Sequence, residues 1–425
     1  MKIMIVGGGG REHTIAVKLA ENPEVTKMYA APGNGGMAAL CECVPLKATD
    51  VEGITAFCKE NQVDFVVVTP DDPLCLGMVD ALQAVGIPAF GPEKKAAIIE
   101  GSKVFSKNLM KKYGIPTAAY ETFSDYASAA AYLEHCSLPI VVKADGLALG
   151  KGVLICMTRE EALDAARDMM EGGKFGASGK NVVIEEFLEG PEVSVLAFTD
   201  GKVVKPMVSS MDHKRALDHD EGLNTGGMGT IAPNPFYTPE VAERCMKEIF
   251  LPTIAAMNAE GRTFRGCLYF GLMITANGPK VIEYNCRFGD PETQVVLPLL
   301  QSDLLTIMRA TVDGTLADTE VRFSDGAACC VVLASGGYPV KYQSGYPITG
   351  LEEAEKTAYV FHAGTKKASE GSVLTAGGRV LGVTATAETL QEAVRKAYAA
   401  SDCIHFTDLH RRSDIGARAL KALEK

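Results

Sequence analysis

The chain has 425 residues, of which 47% are hydrophobic and 22% charged, and its formal net charge is −11. The length suits two to four domains with large cores, and the acidic balance argues against a general nucleic-acid or anionic-membrane surface, so an anionic substrate must meet a local basic pocket. No run approaches the roughly 18 apolar residues that span a bilayer, and the 12 cysteines are scattered without a C-x-x-C pair, as expected of a reduced cytoplasmic protein.

Residues 1–100 alternate strand and helix. Lys2–Val6 reads as a first strand, too short for a signal peptide, followed by a turn at Gly7–Gly10 and a helix over Glu12–Asn22. Strands are expected near Lys27–Ala31, Phe65–Thr69 and Pro88–Phe90, with a helical pattern around Leu74–Val85. Such alternation predicts a parallel sheet covered by helices. A dinucleotide reading fails: G-x-G-x-x-G counted from Gly7 needs glycine where Glu12 stands. The second strand, moreover, ends in Ala31-Pro32-Gly33-Asn34 without a ribose-binding carboxylate. The turn still points backbone N–H groups at a helix start, a place for one phosphate with Arg11 beside it. Tight strand-to-helix packing alone would ask for the same glycines.

Gly91-Pro92 marks a boundary. Helices are expected from Lys94 and from Ser102-Lys103 through Tyr113. Residues 115–190 read as a small unit: a strand Leu138–Ala144 carrying Lys143, a glycine loop Asp145–Gly152, a strand Val153–Met157, a helix Arg159–Glu171 and a strand Asn181–Phe187. The loop is not a Walker A sequence, because Asp145 stands at its first glycine and Gly152 at its Ser/Thr. It is a strand–loop–strand hairpin able to fold over a triphosphate, or an ordinary flexible hairpin. Lys143 in an apolar strand calls for an anionic partner.

Strands follow at Glu192–Thr199 and Val203–Ser209, leading to Asp212-His213-Lys214-Arg215. His213 has no second ligand at zinc spacing, which excludes metal there. Thr225–Gly229 reads as a mobile loop with exposed amides, a second anion cradle, and Pro239–Ala259 as an amphipathic helix. Phe270–Pro279 is a strand entering a hairpin turn, and its partner runs from Val281 toward Thr293. Side chains alternate along a strand, so Glu283, Asn285 and Arg287 share one face and Ile282, Tyr284 and Cys286 the other. A carboxylate and an amide oxygen can hold Mg²⁺ beside phosphate oxygens, and Arg287 can fork onto an anion; a plain edge strand facing water is the bland alternative. A helix is expected over 294–313. Beyond Asp325, strands at Ala328–Ala334, Ala358–Ala363 and Gly378–Ala385 and a helix Leu390–Ala400 make a compact α+β tail. It carries no convincing catalytic group, only a loop, Ser335–Pro339, that touches the active site.

The succession Gly8–His13, Ala31–Asn34, Lys143–Gly152, Glu185–Leu188, Asp212–Arg215, Asn224–Gly229 and Glu283–Thr293 resembles the ATP-grasp ligases, and among them the phosphoribosylamine–glycine ligase family. The resemblance runs from Met1 to about Ala419. It implies an α/β and α+β multidomain fold: an N-terminal parallel-sheet domain (1–100), an ATP-grasp region (101–325) with a lid subdomain at about 120–190, and a C-terminal α+β domain (326–425). It implies ATP-dependent joining of glycine to 5-phosphoribosylamine through a glycyl phosphate, giving glycinamide ribonucleotide, ADP and phosphate in purine biosynthesis.

By position, the resemblance makes Glu283 and Asn285 the ligands of Mg²⁺ or Mn²⁺. Lys103, Lys143, Gly146, Gly150, Lys151, Gly152, Glu185, Glu186, Phe187, Leu188 and Glu192 become ATP contacts. Gly9, Gly10, Arg11, Asn34, Thr225, Gly226, Gly227, Met228, Asp290 and Pro291 become substrate contacts, and Arg287, Lys214 and Asp212 catalytic groups. A cytoplasmic monomer acting on small molecules, without nucleic-acid or membrane partners, is expected. Three departures stand out: Asp71-Asp72 in a segment that commonly reads G-P-E-x-P-L, Met211 where Gln is common, and Leu223 in place of Pro. A biotin-type carboxylase half would need a biotin-accepting lysine segment, which is absent. A regulator without turnover would be expected to lack the Glu283/Asn285 pair or the lid lysine, and the chain has both.

Overall fold

Ile3, Met4, Ile5 and Val6 are all fully buried, so the first strand, Lys2–Gly7, has apolar contacts on both faces as a central parallel strand does. The computed structural model, which describes residues 1–147, 152–173 and 176–424, places it at the centre of a five-stranded parallel sheet. The order is Glu42–Cys43, Lys27–Pro32, Lys2–Gly7, Phe65–Val68, Ala89–Phe90. Met4 and Val6 pack with Ile54 and Leu82 on one face, and Ile3 and Ile5 with Ile15 and Leu305 on the other. The strand order reverses between Lys2–Gly7 and Phe65–Val68, which is where an open α/β sheet forms its ligand crevice.

The first helix runs Gly10–Leu19, two residues earlier than its apolar pattern suggests. Glu12 folds back to accept from the Gly9 N–H at 2.6 Å, the glutamate half of a capping box, which draws the glycines into the first turn. The helical pattern around Leu74–Val85 is two helices, Asp71–Leu76 and Met78–Ala84, divided by Gly77 at φ +93°.

The small unit is an antiparallel sheet ordered Tyr120–Phe123, Val182–Glu186, Ile140–Ala144, Val153–Cys156. Ile140, Val142 and Ile184 pack beneath the helices Tyr126–Leu133 and Arg159–Met170. Alternation therefore puts Lys143 and Glu185 on the opposite face. The expected hairpin between Ile140–Ala144 and Val153–Cys156 forms; Gly150 and Lys151 lie outside the described residues.

A second antiparallel sheet, ordered Val204–Pro206, Glu192–Thr199, Gly266–Thr275, Gly278–Asn285, carries the polar strand at its edge. Its backing helix is continuous from Pro239 to Ala259 but widens into a π turn at Met246–Phe250, just ahead of Pro252, which has no N–H for the ladder. The helix expected over 294–313 is broken: Thr293–Val296, a 3₁₀ turn at Leu297–Leu299, then Leu304–Asp313 capped by Asp303. The third large sheet joins Met211–Asp212, Gly229–Ala232, Ala327–Ser335, Arg379–Ala387 and Tyr359–His362, with Leu409–His410 against Ala327–Ser335. Two of its strands thus come from before residue 325. Met211 packs in this sheet's core with Ile231 and Val331, so its departure from the common Gln bears on packing and not on substrate.

The first and last domains are tied by histidines. The His362 backbone N–H donates to His13 Nδ1 at 2.8 Å, which requires that nitrogen unprotonated. Burial, then the neighbouring His362, lowers the His13 pKa to about 3; burial, then Lys367, lowers His362 to about 4. Burial, then Arg412, lowers His213 to about 4. Below the ordinary histidine value of 6.5 the unfolded chain takes up protons that these folded rings refuse, so their contribution is complete above pH 6.5 and falls as pH drops toward 4. The expected result is a melting temperature that declines steadily from pH 7 to 4.5, with a shallower decline in His13→Gln. A melting temperature flat over that range contradicts this assignment.

Candidate active site

The polar strand Gly278–Asn285 pairs with Gly266–Thr275, and the register slips once: Gly271 faces Glu283 while Leu272 faces Val281. Ile282 is the extra residue of that bulge. Val281 is fully buried and Ile282 half-buried, so the buried face is Val281, Tyr284 and Cys286, a correction to simple alternation. Beyond the bulge the expected pattern holds.

Four cations gather around Glu283. Lys214 Nζ lies 3.6 Å from its Oε1. Burial opposes ionisation of Glu283, but Lys214, Lys143, Lys103 and Arg287 together hold its carboxyl below the usual range. Lys214 shows the converse: burial works against its charge, yet Glu283 leads the groups that raise its pKa well above the ordinary lysine value. Lys103 opens the helix Lys103–Tyr113 and donates to the Gly146 carbonyl at 2.8 Å; burial, only partly offset by Glu283, lowers its pKa. Lys143 has the anionic partner its apolar strand demanded. Glu185 is ion-paired to it and, at 2.6 Å, to Lys107, all three side chains being nearly inaccessible. Glu185 therefore faces inward as a brace for two lysines, and Glu186 is the one at the surface, 2.9 Å from Lys280.

The strand is also gripped from the first domain. Glu100, in the helix Lys94–Gly101, accepts from Asn285 Nδ2 at 2.9 Å and from the Cys286 N–H at 2.7 Å, and pairs with Arg287 at 2.9 Å. No motif marked Glu100, and its only sequence signal is a carboxylate in an otherwise apolar helical run. With Nδ2 tied to Glu100, Asn285 retains its oxygen for a cation, assigned from the hydrogen bond it makes. Glu283 and Asn285 thus offer two hard oxygen donors, which suit a divalent ion that also takes phosphate oxygens. Among the described residues no cluster of three His, Cys, Asp or Glu gathers elsewhere as a metal site.

The loop Thr225–Gly229 is not the set of free amides that its glycines suggested. Thr225 N donates to Lys214 O, Gly226 N to the Tyr338 hydroxyl, Gly227 N to Thr225 Oγ1 and Met228 N to His213 O. Arg379 Nη1 reaches the Gly226 carbonyl at 2.8 Å and the Asp290 carbonyl at 2.9 Å, and Nη2 lies 3.4 Å from Asp290 Oδ1. The C-terminal domain therefore supplies two side chains to the site: Tyr338, from the loop Ser335–Pro339 expected to touch it, and Arg379, which no sequence pattern marked. Beside the loop, Asp212 Oδ1 is buried without a hydrogen-bond partner among the described residues. Burial, then the charge of Glu292, raises the Asp212 pKa well above the carboxylate range. Glu292 itself meets the Tyr269 hydroxyl at 3.1 Å.

In the first-domain crevice, two amides expected to be open are taken. Gly9 N–H is bound by Glu12, and Arg11 N–H donates to Asp290 Oδ2 at 3.2 Å. A Cβ on Gly9 would come within 2.8 Å of Glu12 Oε2, and one on Gly10 within 2.5 Å of Gln294 Nε2, so a side chain at either position would have to displace the end of its neighbour. Arg11 Nε meets Glu12 at 2.6 Å and Nη1 the Phe288 carbonyl at 3.0 Å, leaving other guanidinium donors uncommitted among the described contacts. Asn34 corrects a second expectation. Its Nδ2 donates to the Gly8 and His362 carbonyls and its Oδ1 accepts from Gly36 N and Met37 N, so no group remains for a ribose hydroxyl.

Models of the three parts of phosphoribosylglycinamide synthetase match the chain: the N domain over 1–100, the ATP-grasp (A) domain over 101–293 and the C domain over 328–418. A phosphoribosylamine–glycine ligase of Halalkalibacterium halodurans is 49% identical over 420 residues, covering 99% of this chain and 97% of the relative. One from Mesorhizobium japonicum is 50% identical over 421 residues, 99% of each. The crystal structure of phosphoribosylamine–glycine ligase from Thermotoga maritima superposes with a TM-score of 0.86 at 34% identity, over 98% of this chain and 100% of that one. A biotin carboxylase domain from Hydrogenobacter thermophilus, at 16% identity and a TM-score of 0.72, covers 96% of this chain and 91% of its own, and shares the fold.

Proposed function

The chain belongs to the phosphoribosylamine–glycine ligase family, ATP-grasp enzymes that make glycinamide ribonucleotide in purine biosynthesis, and from that premise we propose how its site divides the work. ATP and a divalent metal, Mg²⁺ or Mn²⁺, lie along Glu283 and Asn285, with Lys103, Lys143, Lys214 and Arg287 around the phosphates. The metal, when bound, neutralises phosphate charge as it develops. The observation that carries this reading is the convergence of four cations on one carboxylate beside an oriented amide. Glycine's carboxylate is a poor electrophile, so the γ-phosphoryl group passes to it and ADP leaves. The amine of phosphoribosylamine then attacks the glycyl phosphate and releases phosphate. Phosphoryl transfer of this kind asks for positioning and charge compensation more than for a protein nucleophile, which suits a site rich in fixed cations.

The first-domain crevice holds phosphoribosylamine. There Arg11 faces the phosphate with its uncommitted donors, and Asp290 and Pro291 bound the sugar. Asn34 acts by shaping the wall. The loop Thr225–Met228, with its amides engaged, works as a rigid border between the two substrates. Asp212, whose buried Oδ1 has no hydrogen-bond partner among the described residues, suits a contact with an ammonium or amine. The boundaries at residues 100 and 325, a monomeric state and a cytoplasmic location belong to the same reading.

ADP release with each substrate omitted in turn tests it. Sustained release is expected only with ATP, glycine and phosphoribosylamine together. Without phosphoribosylamine no more than about one equivalent per enzyme is expected. Sustained ADP release without glycine contradicts carboxylate activation.

A further inference from the structure

We propose that Glu100 is a positioning residue that sets how Asn285 and Arg287 are presented to the phosphate end of the site; this rests on the reading of Glu283 and Asn285 as the cation's ligands. Glu100 is 7% exposed and lies outside every motif discussed above. Its Oε1 takes both Asn285 Nδ2 and Arg287 Nη2 at 2.9 Å, while Oε2 takes the Cys286 N–H at 2.7 Å. A buried carboxylate must be compensated, and here the compensating donors come from three consecutive residues, Asn285 at the end of the strand and Cys286 and Arg287 just beyond it, two of them through side chains of the site.

The geometry has a directional consequence. An Asn amide turned by 180° exchanges its oxygen for an NH₂ group. Turned that way, Asn285 would put its oxygen against Glu100 Oε1 and an NH₂ toward the cation, unfavourable at both ends. Glu100 therefore selects the orientation that offers Asn285 Oδ1 to a metal. Through the same oxygen it fixes one end of the Arg287 guanidinium, and through the Cys286 amide it pins the backbone between them. Partners that orient a metal ligand from behind typically change metal affinity by about 10–100-fold when removed.

Glu100→Gln is nearly isosteric, but its NH₂ must face either the Cys286 N–H or the Asn285–Arg287 pair, so it cannot serve all three donors. Glu100→Asp keeps both oxygens one methylene short. The measurement is Mn²⁺ binding by electron paramagnetic resonance to the full chain saturated with a non-hydrolysable ATP analogue, beside analogue affinity without metal and a melting curve. Expected is Mn²⁺ binding about ten-fold or more weaker in Glu100→Gln, with a smaller loss in Glu100→Asp, and a clearly smaller fall in metal-free nucleotide affinity, since of the phosphate-facing cations only Arg287 is held by Glu100. Should Glu100→Gln not fold, Glu100→Asp carries the measurement. Glu283→Gln is the reference. If it weakens Mn²⁺ while the Glu100 variants bind as wild type, the positioning role is overturned. If the Glu100 variants lose metal-free nucleotide affinity to the same degree, their defect is general and the role is likewise overturned. If Glu283→Gln leaves Mn²⁺ binding unchanged, the metal-strand reading falls and this proposal with it.

Discussion

Glu283→Gln is expected to fold normally and to lose turnover by about 100-fold or more at limiting Mg²⁺, beyond the loss typical of residues that only support a metal ligand. The side chain is about one-third exposed (34%), so its replacement removes little packing. What it removes is the negative charge around which Lys103, Lys143, Lys214 and Arg287 are arranged. Those four cations remain, so nucleotide without metal should bind at least as well as in the wild type. The signature is thus a split: metal-dependent turnover falls, metal-free nucleotide affinity does not, and the melting temperature moves by a few degrees at most. Turnover against Mg²⁺ concentration measures the first and a melting curve the last. Near-normal turnover at limiting Mg²⁺ places the cation elsewhere.

Local chemistry made the polar strand legible: a run of alternating Glu, Asn and Arg is costly unless something charged faces it, and the faces follow from the pleat beyond Ile282. The bulge at Ile282 was not legible, because it arises from pairing with Gly271 and Leu272. The lone lysine in the strand Ile140–Ala144 predicted an anionic partner, and Glu185 is that partner. Yet the same glutamate looked like an adenine contact, since sequence does not say which face of the strand it occupies until both neighbours are known. Glycine loops misled in a consistent way. At Gly9 and at Thr225–Gly229 the amides that seemed free are bound by Glu12, Thr225 Oγ1, Tyr338 and backbone carbonyls, partners set by tertiary contact. Glu100 and Arg379 escaped notice because each reaches the site from an element whose own pattern is that of an ordinary helix or strand. The strand Glu42–Cys43 is two residues long and shows no periodicity to read.

The central claim is that the first domain holds phosphoribosylamine while the strand Gly278–Asn285 serves ATP, and Arg11→Ala tests it most directly. Arg11 is 12% exposed at the start of the first helix, tied to Glu12 and to the Phe288 carbonyl. Those two contacts orient the guanidinium without using all five of its donors. Truncation removes a charge-assisted contact to the substrate's phosphate, a loss of about 1.5–3 kcal/mol, which corresponds to roughly ten-fold or more in apparent affinity. In the variant Gly9 N–H still holds Glu12 Oε2, so the helix start should persist, although Glu12 Oε1 loses its Arg11 partner. Arg11→Lys, which keeps the charge without the fork, should fall between. Steady-state kinetics with each substrate varied in turn should show the KM for phosphoribosylamine rising about ten-fold or more, with the KM values for ATP and glycine nearly unchanged. A main defect in ATP affinity would contradict the account, because it would put the two substrates in the opposite domains.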